Sequence, residues 1–225
     1  MYAFIKHFAL NDQETHRDER GIATFAQEQA IREIYLKPFE MTILDNTVEI
    51  NKNKPIKDAD GKITGYEMAT TEVPAATALM TSFNRIGATW AGGHYNLITK
   101  VLRGEWGFNG FVLTDYEVGG GKGAYMDTLQ TLAAGGDAKL KTVGMDALFG
   151  FDISKHKTYQ GYGKDAAHHI LYAVVNSAGM NGYIHGVQYV EGFAYYKFIL
   201  IAWDVVAIGL IAFLLVLLVK KKRNA

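Results

Sequence analysis

The run Gly104 to Tyr116, GEWGFNGFVLTDY, limits what this chain can fold into more than any other stretch. The turn residues Asn109 and Gly110 precede a short β-branched and aromatic run, Phe111 to Thr114. This reads as a buried strand, and Asp115 falls where strand gives way to loop. In α/β proteins the carboxyl ends of parallel strands are where ligands bind. A carboxylate there either closes a turn, caps a helix or takes part in chemistry. Ahead of it, Tyr95, Ile98, Val101 and Leu102 recur at helical spacing, and Gly104 can end that helix. Ala76 to Phe83 reads as the strand before. Strand, helix and strand in this order imply a right-handed parallel crossover, and so an α/β fold.

Tyr2 to Phe8 alternates before turning polar, as a strand ending near Lys6 and His7 would. In the loop that follows, Asn11, Glu14 and Asp18 surround Arg17 and can brace it through forked hydrogen bonds. Thr24 and Gln27 form a capping-box pattern ahead of Ala30, Ile31, Ile34 and Tyr35, which keep helical spacing until Pro38 stops the run. Residues 45–73 are polar and Lys-rich, with Asp60-Gly61 placed like a hairpin turn, and read as an excursion from the domain. Asp58, Asp60 and Gly61 are similar to the start of a calcium loop, but the remaining ligands are missing. Tyr125 to Ala134 reads as a short helix and Asp137 to Val143 as a strand. The GGGKG run, Gly119 to Gly123, lacks the spacing of a phosphate-binding loop.

Lysines plus arginines equal aspartates plus glutamates at 23 each, so no overall field recruits nucleic acid. There is no cysteine, hence no disulfide and no thiolate metal site. His168 and His169 are neighbours and point about 100° apart on a helix, which leaves them off a common metal-binding face; no metal and no cofactor is expected. Residues 151–197 read as a connector, with Ser154 to Lys164 irregular, followed by an amphipathic helix from Asp165 to Ser177. Its apolar face is Ala167, Ile170, Leu171, Val174, Val175 and Ala178.

Phe198 to Val219 is apolar except for Asp204. A central Asp opposes insertion into a bilayer by about 2.5 to 3.5 kcal/mol, whereas each Leu, Ile, Val or Phe favours it by about 0.3 to 0.6 kcal/mol, so the sum favours a transmembrane helix. Phe193, Tyr195, Tyr196 and Trp203 cluster at its start like an interfacial belt, and the basic tail, residues 220–225, follows at once. The excess of basic residues on that side places the C-terminus in the cytoplasm and the preceding residues outside it. Met1 is followed by no basic and apolar leader, so no secretory signal is expected here.

The runs IKHFALNDQETHRDERG (Ile5 to Gly21), EQAIREIYLKPFE (Glu28 to Glu40), MTSFNRIG (Met80 to Gly87) and VLRGEWGFNGFVLTDY (Val101 to Tyr116) together resemble the barrel domain of glycoside hydrolase family 3, the retaining exo-acting β-glucosidases and β-xylosidases. The resemblance implies that residues 1–150 are the C-terminal half of a (β/α)₈ barrel, about its last four βα units. It implies that Asp115 is the catalytic nucleophile, that Lys6, His7 and Arg17 hold sugar hydroxyls, and that Met80 and Tyr116 shape the sugar site. Where the family usually has a Tyr whose hydroxyl contacts the nucleophile, this chain has Phe83.

Retaining hydrolysis needs a second carboxyl group about 5 to 5.5 Å from the first, as general acid. Glu117 is the nearest in sequence and reads as a loop carboxylate. In the family the acid is a Glu on a separate domain. The expectation is therefore a membrane-anchored β-glucosidase-like hydrolase acting on β-linked saccharides. An upstream barrel half and an acid-bearing domain, from the same polypeptide or a partner chain, would complete it. The alternative is a non-catalytic, membrane-tethered saccharide-binding protein or inactive fragment.

Overall fold

The computed structural model describes residues 3–117, 125–141, 150–177, 192 and 194–223. They belong to two compact units, Met1–Ile184 and His185–Ala225. The first unit is built on a parallel sheet. Its strands are β1 (Phe4–Phe8), β5 (Ala78–Thr81), β8 (Phe111–Glu117) and β9 (Ala138–Lys141), adjacent in that order. Phe4 pairs with Ala78, Ala78 with Phe111, and Leu113 with Ala138. The register slips between Ile5 and Phe8 and again between Leu113 and Tyr116. Such irregularities are frequent beside functional sites, and here they flank His7 and Asp115.

Helical segments make the crossovers. Leu97, Ile98, Val101 and Leu102 of helix Asn96–Glu105 are buried, because their spacing places all four on one face against the sheet. Leu97 takes the place expected for Tyr95, which is exposed, and the helix runs through Gly104 instead of stopping there. The core under the sheet includes Phe8, Leu36, Leu79, Trp106, Phe108 and Val112. Fully burying each large side chain contributes roughly 1.5 to 3 kcal/mol. Gly110 is required where the chain turns into β8, since a Cβ there would stand 2.4 Å from the Thr77 carbonyl oxygen.

Between β1 and β5 the structure departs from the sequence reading in two ways. Thr24 caps no helix. It lies in β2 (Ala23–Thr24), which pairs with β6 (Arg85–Ile86), itself antiparallel to β7 (Thr89–Trp90). The helix starts only at Glu28, and Gln27 gives it no side-chain cap. Nor does Pro38 end helical structure: Ile31–Tyr35 closes with a wide Leu36 N–H to Ile31 C=O bond, and Pro38 then sits in the first turn of helix Lys37–Leu44. Its missing N–H is not needed there.

The excursion is a hairpin of β3 (Thr47–Lys57) and β4 (Ile63–Pro74), in register from Thr47 opposite Pro74 out to Ile56 opposite Gly65, with a slip before Lys57 pairs with Ile63. At its tip the Asp58 carboxylate accepts the backbone N–H groups of Asp60 and Lys62, so it closes a turn. Because the hairpin precedes β5, it grows from the end of the sheet where strands begin, opposite the end occupied by Asp115.

Helix Thr128–Ala133, capped by Asp127, links β8 to β9. The last helix of this unit, Lys157–Val175, begins earlier than the expected Asp165 and runs through Gly161 and Gly163. Its packed face also differs from expectation. Ala166, Ala173 and Ser177 are buried and His169 is half-buried, whereas Leu171 and Val175 are exposed.

The rotation has a polar cause at the start of β9. Asp137 Oδ1 meets His169 Nδ1 at 2.8 Å, and Oδ2 accepts from Arg103 Nη2 at 2.8 Å and the Val112 N–H at 2.7 Å. Arg103 also donates to the carbonyls of Phe108, Gly110 and Gly135. Burial pulls the Arg103 guanidinium below its ordinary value, and Asp137 opposes that shift. In the second unit, helix Tyr195–Arg223 carries exposed apolar side chains along its length and is long and apolar enough to cross a membrane by length and composition. Residues 119–123 lie outside the described residues. Asp137→Ala is expected to destabilise the protein by about 3 to 5 kcal/mol, because it strands the buried Arg103 charge, as measured by denaturant unfolding.

Candidate active site

Asp115 is buried, although β8 does not end at Thr114 as its composition implies but continues through Tyr116 to Glu117. Its neighbour Thr114 explains part of the local order: the hydroxyl donates to the Asp115 carbonyl at 2.9 Å and accepts the Leu140 N–H at 3.0 Å, filling the slip between β8 and β9. The two carboxylate oxygens of Asp115 have different surroundings. Oδ1 accepts the Tyr116 N–H at 2.8 Å. Oδ2 is buried and accepts no hydrogen bond among the described residues. It faces His7 Nε2 at 3.4 Å and Arg17 Nη1 at 3.7 Å.

His7 comes from β1, two strands away from β8, and Arg17 from the loop that follows β1. Arg17 is held from three sides. Its Nε meets Glu14 at 2.9 Å, its Nη1 donates to Asn11 Oδ1 at 3.2 Å, and its guanidinium lies 5.1 Å from the centre of the Phe83 ring. Asn11 and Glu14 thus brace Arg17 as their spacing implied. Phe83 is buried under the guanidinium, a cation–π contact that a phenyl ring makes without a hydroxyl.

Burial holds the His7 imidazole below its ordinary value, with Asp115 pulling the other way and Lys6 and Arg17 adding to the depression. His94 is also held low by burial, and its Nδ1 accepts the Leu97 N–H at 3.2 Å.

The remaining sequence-predicted residues are placed less closely. Lys6 is exposed on β1 and makes no side-chain hydrogen bond or ion pair among the described residues. Met80 is half-buried in β5, opposite Leu113, and Tyr116 is exposed beside Asp115.

Several groups that shape the site had no distinct signal in the residue pattern. Ser82 joins the ends of β1 and β5, its N–H donating to the Phe8 carbonyl at 2.8 Å and its hydroxyl to that of Ala9 at 2.9 Å. Trp90, fully buried, donates from its indole to the Ser82 carbonyl at 3.0 Å. Among the described residues no group of three or more histidines, aspartates or glutamates could hold a metal ion.

A buried carboxylate at a parallel strand end, one oxygen fixed by the backbone and the other bare between an imidazole and a guanidinium, can act as a nucleophile or bind polar groups of a ligand. Residues 1–143 match the family model described as Glycosyl hydrolase family 3 N terminal domain. The chain belongs to glycosyl hydrolase family 3. It is 35% identical over 112 residues to a beta-glucosidase of Ruminococcus albus, covering 50% of this chain and 9% of that protein. It is likewise 35% identical over 127 residues to beta-glucosidase B of Emericella nidulans, covering 56% of this chain and 11% of the relative. The structure of beta-glucosidase 3B from Thermotoga neapolitana in complex with glucose superposes with a TM-score of 0.53 at 26% identity, over 81% of this chain and 22% of that one. This family 3 chain therefore spans a small part of the proteins it matches.

The two depressed histidines give a pH dependence with a definite sign. The folded state favours neutral imidazoles, so their contribution is complete above the ordinary histidine value, about 6.5, and is lost as the pH falls below it towards their folded values. Stability to urea should decline below about pH 6.5 by up to roughly 1.4 kcal/mol per pH unit for each histidine, and His94→Gln should flatten that slope.

Proposed function

We propose that this family 3 chain is the nucleophile-bearing part of a β-glucosidase-like enzyme that removes terminal non-reducing β-D-glycosyl residues with retention. One observation carries this reading: Asp115 Oδ2 is bare, buried and aimed between His7 and Arg17. In the first step Oδ2 attacks the anomeric carbon, the bond to the leaving oxygen breaks, and a glycosyl ester forms. The departing oxygen takes its proton from a general acid supplied from outside this chain. Water then cleaves the ester, giving its proton to the same group and restoring the carboxylate. The fixed oxygen, Oδ1, keeps the Asp115 carboxylate in plane for the attack, while Lys6, His7 and Arg17 bind the sugar hydroxyls and Met80 and Tyr116 shape the wall. A His7 held neutral both accepts and donates hydrogen bonds to hydroxyls.

The four-stranded parallel sheet is read as half of a (β/α)₈ barrel, because its strands lie side by side in chain order with helical crossovers. The β1 and β9 edges would then pair with strands from the same polypeptide or a partner chain, since open edges invite pairing. Helix Tyr195–Arg223 is read as a single-pass anchor with a cytoplasmic tail and the sugar site outside. Its 29 residues extend for about 43 Å, more than the roughly 30 Å of a hydrocarbon core.

Phe83 favours a second reading, a membrane-tethered saccharide-binding protein without turnover, because it offers no hydroxyl to the nucleophile. The two readings separate by covalent trapping. A 2-deoxy-2-fluoro-β-glucoside with a dinitrophenolate leaving group departs without acid assistance and should leave its sugar on Asp115, detected by peptide mass. Asp115→Asn should abolish both the label and aryl β-glucoside hydrolysis by the complete protein. Hydrolysis that survives this substitution would sink the assignment, and sugar binding without any label would favour the second reading.

A further inference from the structure

Tyr125 lies between the loop that carries Arg17 and the end of β5, and the mechanism above does not use it. Its hydroxyl reaches the backbone carbonyl oxygens of Arg17, at 3.1 Å, and of Phe83. One O–H thus serves two segments that are 66 positions apart in sequence (83 − 17).

The ring is boxed independently of the hydroxyl. The Arg85 guanidinium lies 4.9 Å from its centre, and the Trp90 ring meets it edge-on at 6.2 Å. On a third side, Gly21 adopts a φ of +65°, and a Cβ there would come within 2.7 Å of the ring. Packing therefore fixes where the hydroxyl is delivered. The side chains of the two bridged residues, Arg17 and Phe83, meet each other, and Arg17 is one of the two cations or potential cations beside Asp115 Oδ2. Burial also pushes the Tyr125 hydroxyl far above its ordinary titration range, so it remains a donor.

We propose that Tyr125 is a positioning residue, whose hydroxyl pins the Arg17 loop to the end of β5 and so holds the guanidinium beside the bare oxygen of Asp115. The sugar-binding role of Arg17 rests on the glycosidase reading above; the tether itself does not. Tyr125 acts through the backbone of Arg17 and touches no reacting atom.

Tyr125→Phe tests this, because it keeps the boxed ring and deletes only the O–H. In the complete protein, hydrogen–deuterium exchange at the amides of residues 11–21 should rise about tenfold, the scale of one lost hydrogen bond, while exchange in β1 and β8 stays unchanged. Labelling of Asp115 by the activated fluoroglucoside should slow by a similar factor. The same substitution in an Arg17→Lys background should slow labelling by less than about twofold, because the two residues act in series. Unchanged exchange in the loop would overturn the tether. Equal slowing in both backgrounds would overturn the route through Arg17 and leave a general structural role. A wild-type protein that takes no label at Asp115 would count against the glycosidase reading, and the exchange result would still decide on the tether.

Discussion

Two buried carboxylates sit at opposite ends of one parallel sheet, and the difference in how they are satisfied organises the molecule. Asp137, where β9 begins, has both oxygens engaged, by Arg103, by the Val112 N–H and by His169. A buried charge with both oxygens partnered holds structure together. Asp115, near the far end of β8, has one oxygen engaged and the other bare. Burial of that bare oxygen is tolerated because His7 and Arg17 stand beside it. The incomplete shell leaves one end of the sheet open to a ligand, and the complete shell fastens the other end.

The same comparison explains what could be read from residues alone. Asp115, His7 and Arg17 stood out because polar side chains at the edges of apolar runs call for a reason, and the runs around them resemble a family. Asn11 and Glu14 were legible as braces because they lie within one short loop of Arg17. Thr24 was misread because a capping pattern and a two-residue strand share the same letters, and only the distant partner Arg85–Ile86 decides between them. The face of helix Lys157–Val175 was misread because apolar spacing favoured Leu171 and Val175, whereas the bond from His169 to Asp137 turned that histidine inward. Asp137 itself looked like an ordinary strand-start residue. In each case the deciding contact joins segments far apart in sequence, which local pattern does not encode.

Tyr125 belongs with these long-range features. It follows a glycine-rich stretch and precedes a short helix, so nothing local distinguishes it from a surface aromatic. Gly21, more than a hundred positions earlier, is legible only once the ring that forbids its Cβ is in view. Membership of the family accounts for the sequence runs around Asp115, His7 and Arg17. The details that fit those runs to this chain, including a phenyl ring under Arg17 where the resemblance leads one to expect a tyrosine, are local solutions.

The β3–β4 hairpin has a different kind of consequence. Thr47 and Pro74 are paired, and Ala75 donates to the Asn46 carbonyl just behind them, so the chain leaves and re-enters the domain at one point. Lys52 also donates to Asn176 Oδ1, which fastens the inner half of the hairpin to the end of helix Lys157–Val175. The outer half can change in length on the side away from Asp115 without altering the spacing of helix Lys37–Leu44 and β5. The Asp60-Gly61 tip is thus a natural port for splicing in a foreign domain or reporter, attached to the scaffold yet mechanically separate from its chemistry.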